Sequence, residues 1–162
     1  MTLDPEILRR AMRTWTTGVA ILTASHNGET YGMTINSFNS LSLDPPMVGV
    51  TVQNTTHIHD LIERSQTFGV TILAAGQRDL AEDFAGRKHG PERMDGIGLQ
   101  SLTTGAPLLT DGLASLDCRV TQTIPLGKNT MFLAEVAAAQ AHSTENPLVY
   151  HDRVYHKIAP SP

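Results

Sequence analysis

From the N-terminus, the first pattern along the chain is helical. Asp4-Pro5 offers a capping side chain followed by a proline suited to the first helical position, and Ile7, Leu8, Ala11, Met12 and Trp15 then recur at helical spacing. This predicts a helix over about residues 5–16, ending before Gly18. Strand patterns follow. Residues 19–24 and 31–37 flank Asn27-Gly28, the pair that favours a tight hairpin turn. Residues 47–52 form an apolar, β-branched run, residues 68–73 another, and Ile58, Leu61 and Ile62 share one face of a short helix capped by Thr55 or Thr56. A second short helix is expected over residues 77–84, followed by RKHGPERMDGIG, which reads as a mobile surface loop. Residues 114–124 and 131–139 pair across Gly127-Lys128-Asn129, and residues 148–151 and 154–158 pair across Asp152-Arg153.

The expectation is seven or eight strands and three short helices in one domain spanning residues 1–162, a mainly β fold with short helices. The order lacks the regular strand–helix alternation of a doubly wound sheet, and no dinucleotide or nucleotide-phosphate glycine motif is present. An antiparallel, Greek-key-like barrel with helices across its mouth or flank fits better. A small barrel fills its interior with side chains, so a large ligand sits outside it or between two subunits.

Composition narrows the function. A formal charge of -4 gives no basic field for phosphate backbones, so a nucleic-acid partner is not expected. No apolar run approaches the roughly 20 residues that span a bilayer, and residues 1–15 lack the apolar core of a signal peptide. A cytoplasmic protein with no membrane partner is expected. The lone Cys118 excludes an internal disulfide and reads as a buried strand residue. His57-x-His59, with His151 and His156, is the best metal set available; its spacing matches no ligand pattern, and no metal is expected.

Two polar clusters remain. Residues 32–46, GMTINSFNSLSLDPP, leave a strand and enter a loop rich in small hydroxyl and amide side chains, which can hydrogen-bond a polar heterocycle without placing charge beside it. Gln53, Asn54, Thr55 and Thr56 stand where a strand hands over to a helix, so free N–H groups would face an anion such as a phosphate. No nucleophile motif is found, and Glu82-Asp83 read as a solvated helix face. The sequence therefore offers binding chemistry, which suits a ligand that carries its own reactive atoms.

The segment GMTINSFNSLSLDPP resembles the signature of the short-chain flavin reductases, the reductase components of two-component flavin-dependent monooxygenases. So, in the same order, do LRRAMRTWTTGVAILTA, FGVTILAAGQRDLAEDFAG, GAPLLTDGLASLDCRV and PLVYHDRVYH. The resemblance implies an FMN-binding split barrel, a homodimer with flavin near the subunit interface, and hydride transfer from NADH or NADPH to FMN or FAD. It also implies a separate monooxygenase that receives the reduced flavin by diffusion.

Carried over by position, Thr34, Ile35, Asn36 and Ser37 would contact the isoalloxazine and ribityl groups, and Ser40 the ribityl or phosphate part. Gln53, Asn54, Thr55 and Thr56 would hold the phosphate, with His59 just beyond them, and Phe84, Ala85 and Gly86 would close over the flavin. Many members carry Gly-Asp-His-Thr where this chain has Gly-Lys-Asn-Thr, which puts Asn129 at the position of a histidine near the two reacting rings. Asn129 cannot take on charge at neutral pH. His151 and Tyr155 are further candidates for the nicotinamide pocket. Two alternatives keep the same fold. One is a flavin carrier or sensor with little reductase activity, favoured by Asn129. The other, an oxidase of the pyridoxamine-phosphate type, would need a basic cluster, for which only Arg87 and Lys88 stand near a candidate site.

Overall fold

The computed structural model describes residues 3–159. It begins with α1 (Pro5–Arg13), where Asp4 accepts a hydrogen bond from the Glu6 amide and Pro5 opens the first turn. Next come β1 (Thr17–Gly18), β2 (Ala20–His26), β3 (Glu29–Ile35), β4 (Asn39–Leu43) and β5 (Pro46–Gln53). After them are α2 (His57–Ser65), β6 (Thr67–Ile72) and α3 (Arg78–Glu82), which runs into a wide turn over Asp83–Arg87 and a short 3-10 helix over Gly90–Met94. The chain ends with β7 (Leu99–Gln100), β8 (Leu108–Leu109), β9 (Ala114–Leu126), β10 (Asn129–Ala141), β11 (Leu148–His151) and β12 (Val154–Lys157).

Seven strands form one antiparallel sheet in the order β3-β2-β6-β9-β10-β5-β4. Its two edge strands, β3 and β4, follow one another in the chain with only residues 36–38 between them. The sheet must therefore curl until its edges meet, which makes it a barrel. Ser37 fastens the seam: its hydroxyl donates to the Thr51 carbonyl at 2.7 Å and accepts from the Thr51 amide at 3.2 Å.

Alternation sends Leu22, Val50, Phe68, Val70 and Phe132 inward, and Ile58, Leu61 and Ile62 of α2 plug the barrel. The opposite parity of β2 is buried too. Val19 and Ile21 meet Leu73, Phe84, Leu109 and Leu148 in an outer cluster beneath α3 and the β11–β12 hairpin. That hairpin pairs through β11 with β1 in a separate three-stranded sheet. Cys118 is fully buried on β9, and desolvation, with the charge of Asp117 second, pushes its thiol up to about 12. The native protein is expected to resist alkylation at mildly alkaline pH and to label fully once unfolded; rapid labelling of folded protein would contradict this. The thiol's contribution to stability is complete below the ordinary 9.0 and is lost as pH rises toward about 12, because only the folded state keeps its proton there.

Three features depart from expectation. The stretch 39–43 is a strand, paired with β5, where a loop was expected. The segment expected to be a mobile loop is anchored by Arg93, which is 6% exposed, donates to the carbonyls of Gly32 and Lys88, and lies 4.9 Å from the Tyr31 ring centre. The apolar stripe of α1, with Trp15 just past its end, has no covering partner among the described residues: Ile7, Leu8, Met12 and Trp15 are all more than half exposed, Trp15 at 68%.

Candidate functional site

The end of β3 builds the principal cleft. Thr34 commits its hydroxyl to the Ala81 carbonyl at 2.6 Å, which ties α3 to the strand, and Ile35 turns into the barrel. Asn36 is then the first residue released from the sheet, and its side chain is exposed. Thr34, Ile35, Asn36 and Ala85 line a cleft of about 160 Å³ with Val19, Tyr150 and Tyr155. Tyr150 and Tyr155 are register partners across the β11–β12 hairpin, their rings 5.3 Å apart. Burial raises the Tyr155 phenol above its ordinary 10.0, with Tyr150 and Glu82 adding to the shift, so it stays a hydrogen-bond donor at neutral pH.

The cleft alone is smaller than the roughly 300–1,000 Å³ typical of ligand pockets. Asn36 also borders a trough of about 430 Å³ lined by Trp15, Thr17, Gly18, Phe38 and Asn39. The site is thus a long, open surface centred on Asn36, with no charged residue lining either the cleft or the trough.

Beyond the Ser37 seam lies the second polar group. Gln53 is two residues along β5 from Thr51, about 7 Å at strand spacing. Thr56 stands at the N-cap of α2, but its hydroxyl turns back to the Gln53 carbonyl at 2.7 Å and makes no cap. The His59 amide donates to the Thr56 carbonyl at 3.1 Å, which leaves the His57 and Ile58 amides available to an anion. Asn54 braces the turn by donating to the Gly127 carbonyl and accepting from the Thr130 hydroxyl, which also meets His59 at 2.9 Å. Asn129 pairs directly with Gln53 across β10 and β5.

The flavin reductase like domain model matches residues 12–159. The chain belongs to the flavin reductase-like family. It is 34% identical over 158 residues to the NADH-dependent flavin reductase StyB of Pseudomonas fluorescens, covering 95% of this chain and 90% of that one. The reductase component of the 4-nitrophenol monooxygenase of Rhodococcus opacus is 36% identical over 149 residues, covering 92% of this chain and 78% of its own. Among solved structures, the NADH:FAD oxidoreductase SgcE6 of Streptomyces globisporus, in complex with NAD and FAD fragments, superposes with a TM-score of 0.89 at 32% identity, covering 99% of this chain and 98% of that one. The split barrel is therefore the family fold.

The residues of this flavin reductase-like chain fit a flavin on two counts. The strand end presents Asn36 and backbone groups without charge, and beyond the Ser37 seam α2 starts without a side-chain cap. Thr34, Ile35, Asn36, Ala85 and Tyr155 are gathered at the cleft. Gln53, Asn54, Thr55, Thr56 and Asn129 gather at the turn instead, so Asn129 does not line the cleft of its own chain. Ser40 lies exposed on β4 beside Val48. Phe84 is fully buried against Gly32 and holds Ala85 and Gly86 in place from beneath, Gly86 having a φ of 124° that suits glycine.

His151 points away from the cleft and meets the Thr16 hydroxyl at 2.9 Å. Its neighbour Tyr150 was missed, although the two-residue Asp152-Arg153 turn already sets 150 opposite 155. Arg87 and Lys88 are paired with Asp79, Glu82 and Asp83, so they form no free phosphate cluster, and Glu82 and Asp83 belong to an ion-pair network rather than a bare solvated face. His57 pairs with Glu29 at 2.8 Å. Among the described residues no three metal-ligating side chains converge.

Proposed function

We propose that the protein transfers hydride from a nicotinamide coenzyme, NADH in its named relatives, to FMN or FAD and releases the reduced flavin to a separate monooxygenase. The observation that carries this reading is the uncharged strand end at Asn36, open on one side and flanked by Tyr150 and Tyr155. Bound flavin would supply the hydride acceptor, its N5. The chain's part is alignment: Thr34, Ile35 and Asn36 would hold the ring system, and the 53–56 turn with the free α2 amides would hold the phosphate. Amide and backbone donors steady the negative charge that reduction adds. No side-chain base is required.

A homodimer belongs to the same reading. The α1 stripe of Ile7, Leu8, Met12 and Trp15 is an exposed apolar face of the kind that marks a protein interface, and it borders the trough. A second protomer laid on it would turn an open trough into an enclosed pocket. A cytoplasmic location follows from dependence on an intracellular coenzyme. Steady-state assays crossing FMN, FAD and riboflavin with NADH and NADPH, with sedimentation to give the mass in solution, test these points. Turnover by a dimer is expected; a monomer with no turnover on any pair would end the proposal.

Asn129 favours a second reading, a flavin carrier with slow turnover. The two diverge in the Asn129→His variant. A reductase that relies on alignment is expected to keep kcat within about threefold and to acquire a titration near the ordinary histidine value of about 6.5. A gain of a hundredfold would identify the natural chain as a carrier.

A further inference from the structure

A second cavity, of about 250 Å³, opens beside the flavin cleft and shares Asn36 and Tyr150 with it. Its walls carry Arg9, Arg13 and Arg153 against one carboxylate, Asp152. Arg9 and Arg13 stand one turn apart on the same face of α1, and Arg153 comes from the tip of the β11–β12 hairpin. The Asp152 amide donates to the Arg13 carbonyl at 3.2 Å, which holds the hairpin tip under the end of the helix. The cluster is therefore assembled from two distant parts of the chain.

Three details, one for each arginine, mark the cluster as unspent. Arg13 Nε is buried and has no hydrogen-bond partner, an unusual state for a guanidinium nitrogen. Arg153 sits at φ 66° and Asp152 at φ 45°, the left-handed pair of a two-residue hairpin turn, where glycine would follow without strain. The hairpin keeps a guanidinium there instead. Among the described residues Arg9 is engaged by Glu6 alone, in an exposed pair at 2.9 Å that a stronger anion can displace.

We infer that this cavity binds the pyrophosphate of a dinucleotide whose ring enters the adjoining cleft. Guanidinium forks match phosphate oxygens bidentately, and three of them around one small cavity suit two linked phosphates. The inference rests on the reductase reading, which supplies two dinucleotides with this group, NADH and FAD.

The test uses Arg13→Gln and Arg153→Gly, the latter fitting its backbone position so that loss of binding is not loss of fold. ADP-ribose, which carries the pyrophosphate and no reducible ring, is titrated calorimetrically into wild type and both variants. Each variant is expected to bind it about tenfold more weakly, with the loss shrinking at high salt. With FMN as acceptor, the KM for NADH relative to that for dihydronicotinamide riboside, which has no phosphate, is expected to rise about tenfold if the group is the coenzyme's. A tenfold fall in FAD affinity relative to FMN, with that KM ratio unmoved, assigns it to the flavin and takes the flavin phosphate away from the 53–56 turn. ADP-ribose affinity, KM ratio and FAD preference all unchanged would overturn the inference. Binding of ADP-ribose that depends on these arginines in a protein reducing no flavin would overturn the reductase reading alone.

Discussion

Replacing Asn36 by Asp is expected to slow flavin reduction at least about a hundredfold while leaving the protein folded. Asn36 is exposed where the strand ends, so the change costs no packing. It puts a fixed negative charge beside a ring that gains negative charge on reduction. Two charges about 4 Å apart repel by about 4 kcal/mol at an effective dielectric of about 20, and each 1.4 kcal/mol or so on the barrier is a factor of ten. Rapid-mixing measurements should show the loss in the reduction rate, with affinity falling more for reduced than for oxidised flavin. A variant that reduces flavin within threefold of wild type would show that Asn36 does not face the ring.

Gly32→Val is expected to be the most damaging single change to the site's frame. A Cβ at Gly32 would overlap Phe84 Cε1 and lie 2.9 Å from Cδ1, and Phe84 is fully buried. The same residue's carbonyl receives Arg93 at 3.0 Å. The substitution therefore pushes the 83–94 segment off β3 at both of its anchors and shifts Ala85 away from the cleft. Overpacking of this kind costs about 3 kcal/mol, which lowers the melting temperature by about 6–12 °C in a domain of this size. Flavin affinity should fall with it. Calorimetry showing an unchanged melting temperature would contradict the tight Gly32–Phe84 contact.

The sequence disclosed most where local chemistry decides structure. Asn27 and Gly28, at φ 51° and 83°, form the hairpin turn that their pairing favours, and Gly127 at φ 64° turns β9 into β10. The α1 stripe was legible as a pattern, but the pattern cannot say that the fold leaves these side chains exposed. Strand β4 was hidden because its residues are mostly exposed and run into Asp44-Pro45-Pro46, so it carries neither an apolar run nor a clean end. The 87–98 segment looked mobile because its tie to the sheet is one arginine reaching the carbonyl of Gly32, distant in sequence, and composition does not reveal a buried Arg93.

Thr34 and Asn36 border the cleft together as alternation along β3 predicts, while Ile35 between them turns its side chain into the barrel. Tyr150 was passed over for His151 because a histidine draws attention as chemistry, whereas the parity of a two-residue hairpin puts the tyrosines, not the histidine, on the cleft side. The separation of Asn129 from the cleft was equally hidden: its place beside Gln53 is set by pairing between strands far apart in the chain.

The central claim is that the open strand end around Asn36 aligns flavin and nicotinamide for direct hydride transfer. Anaerobic rapid mixing of NADH with FMN, followed at the flavin absorbance with and without the protein, tests it most directly. The account predicts reduction at least about a thousandfold faster with protein present, the scale that alignment supplies. Equal rates in the two mixtures would contradict it.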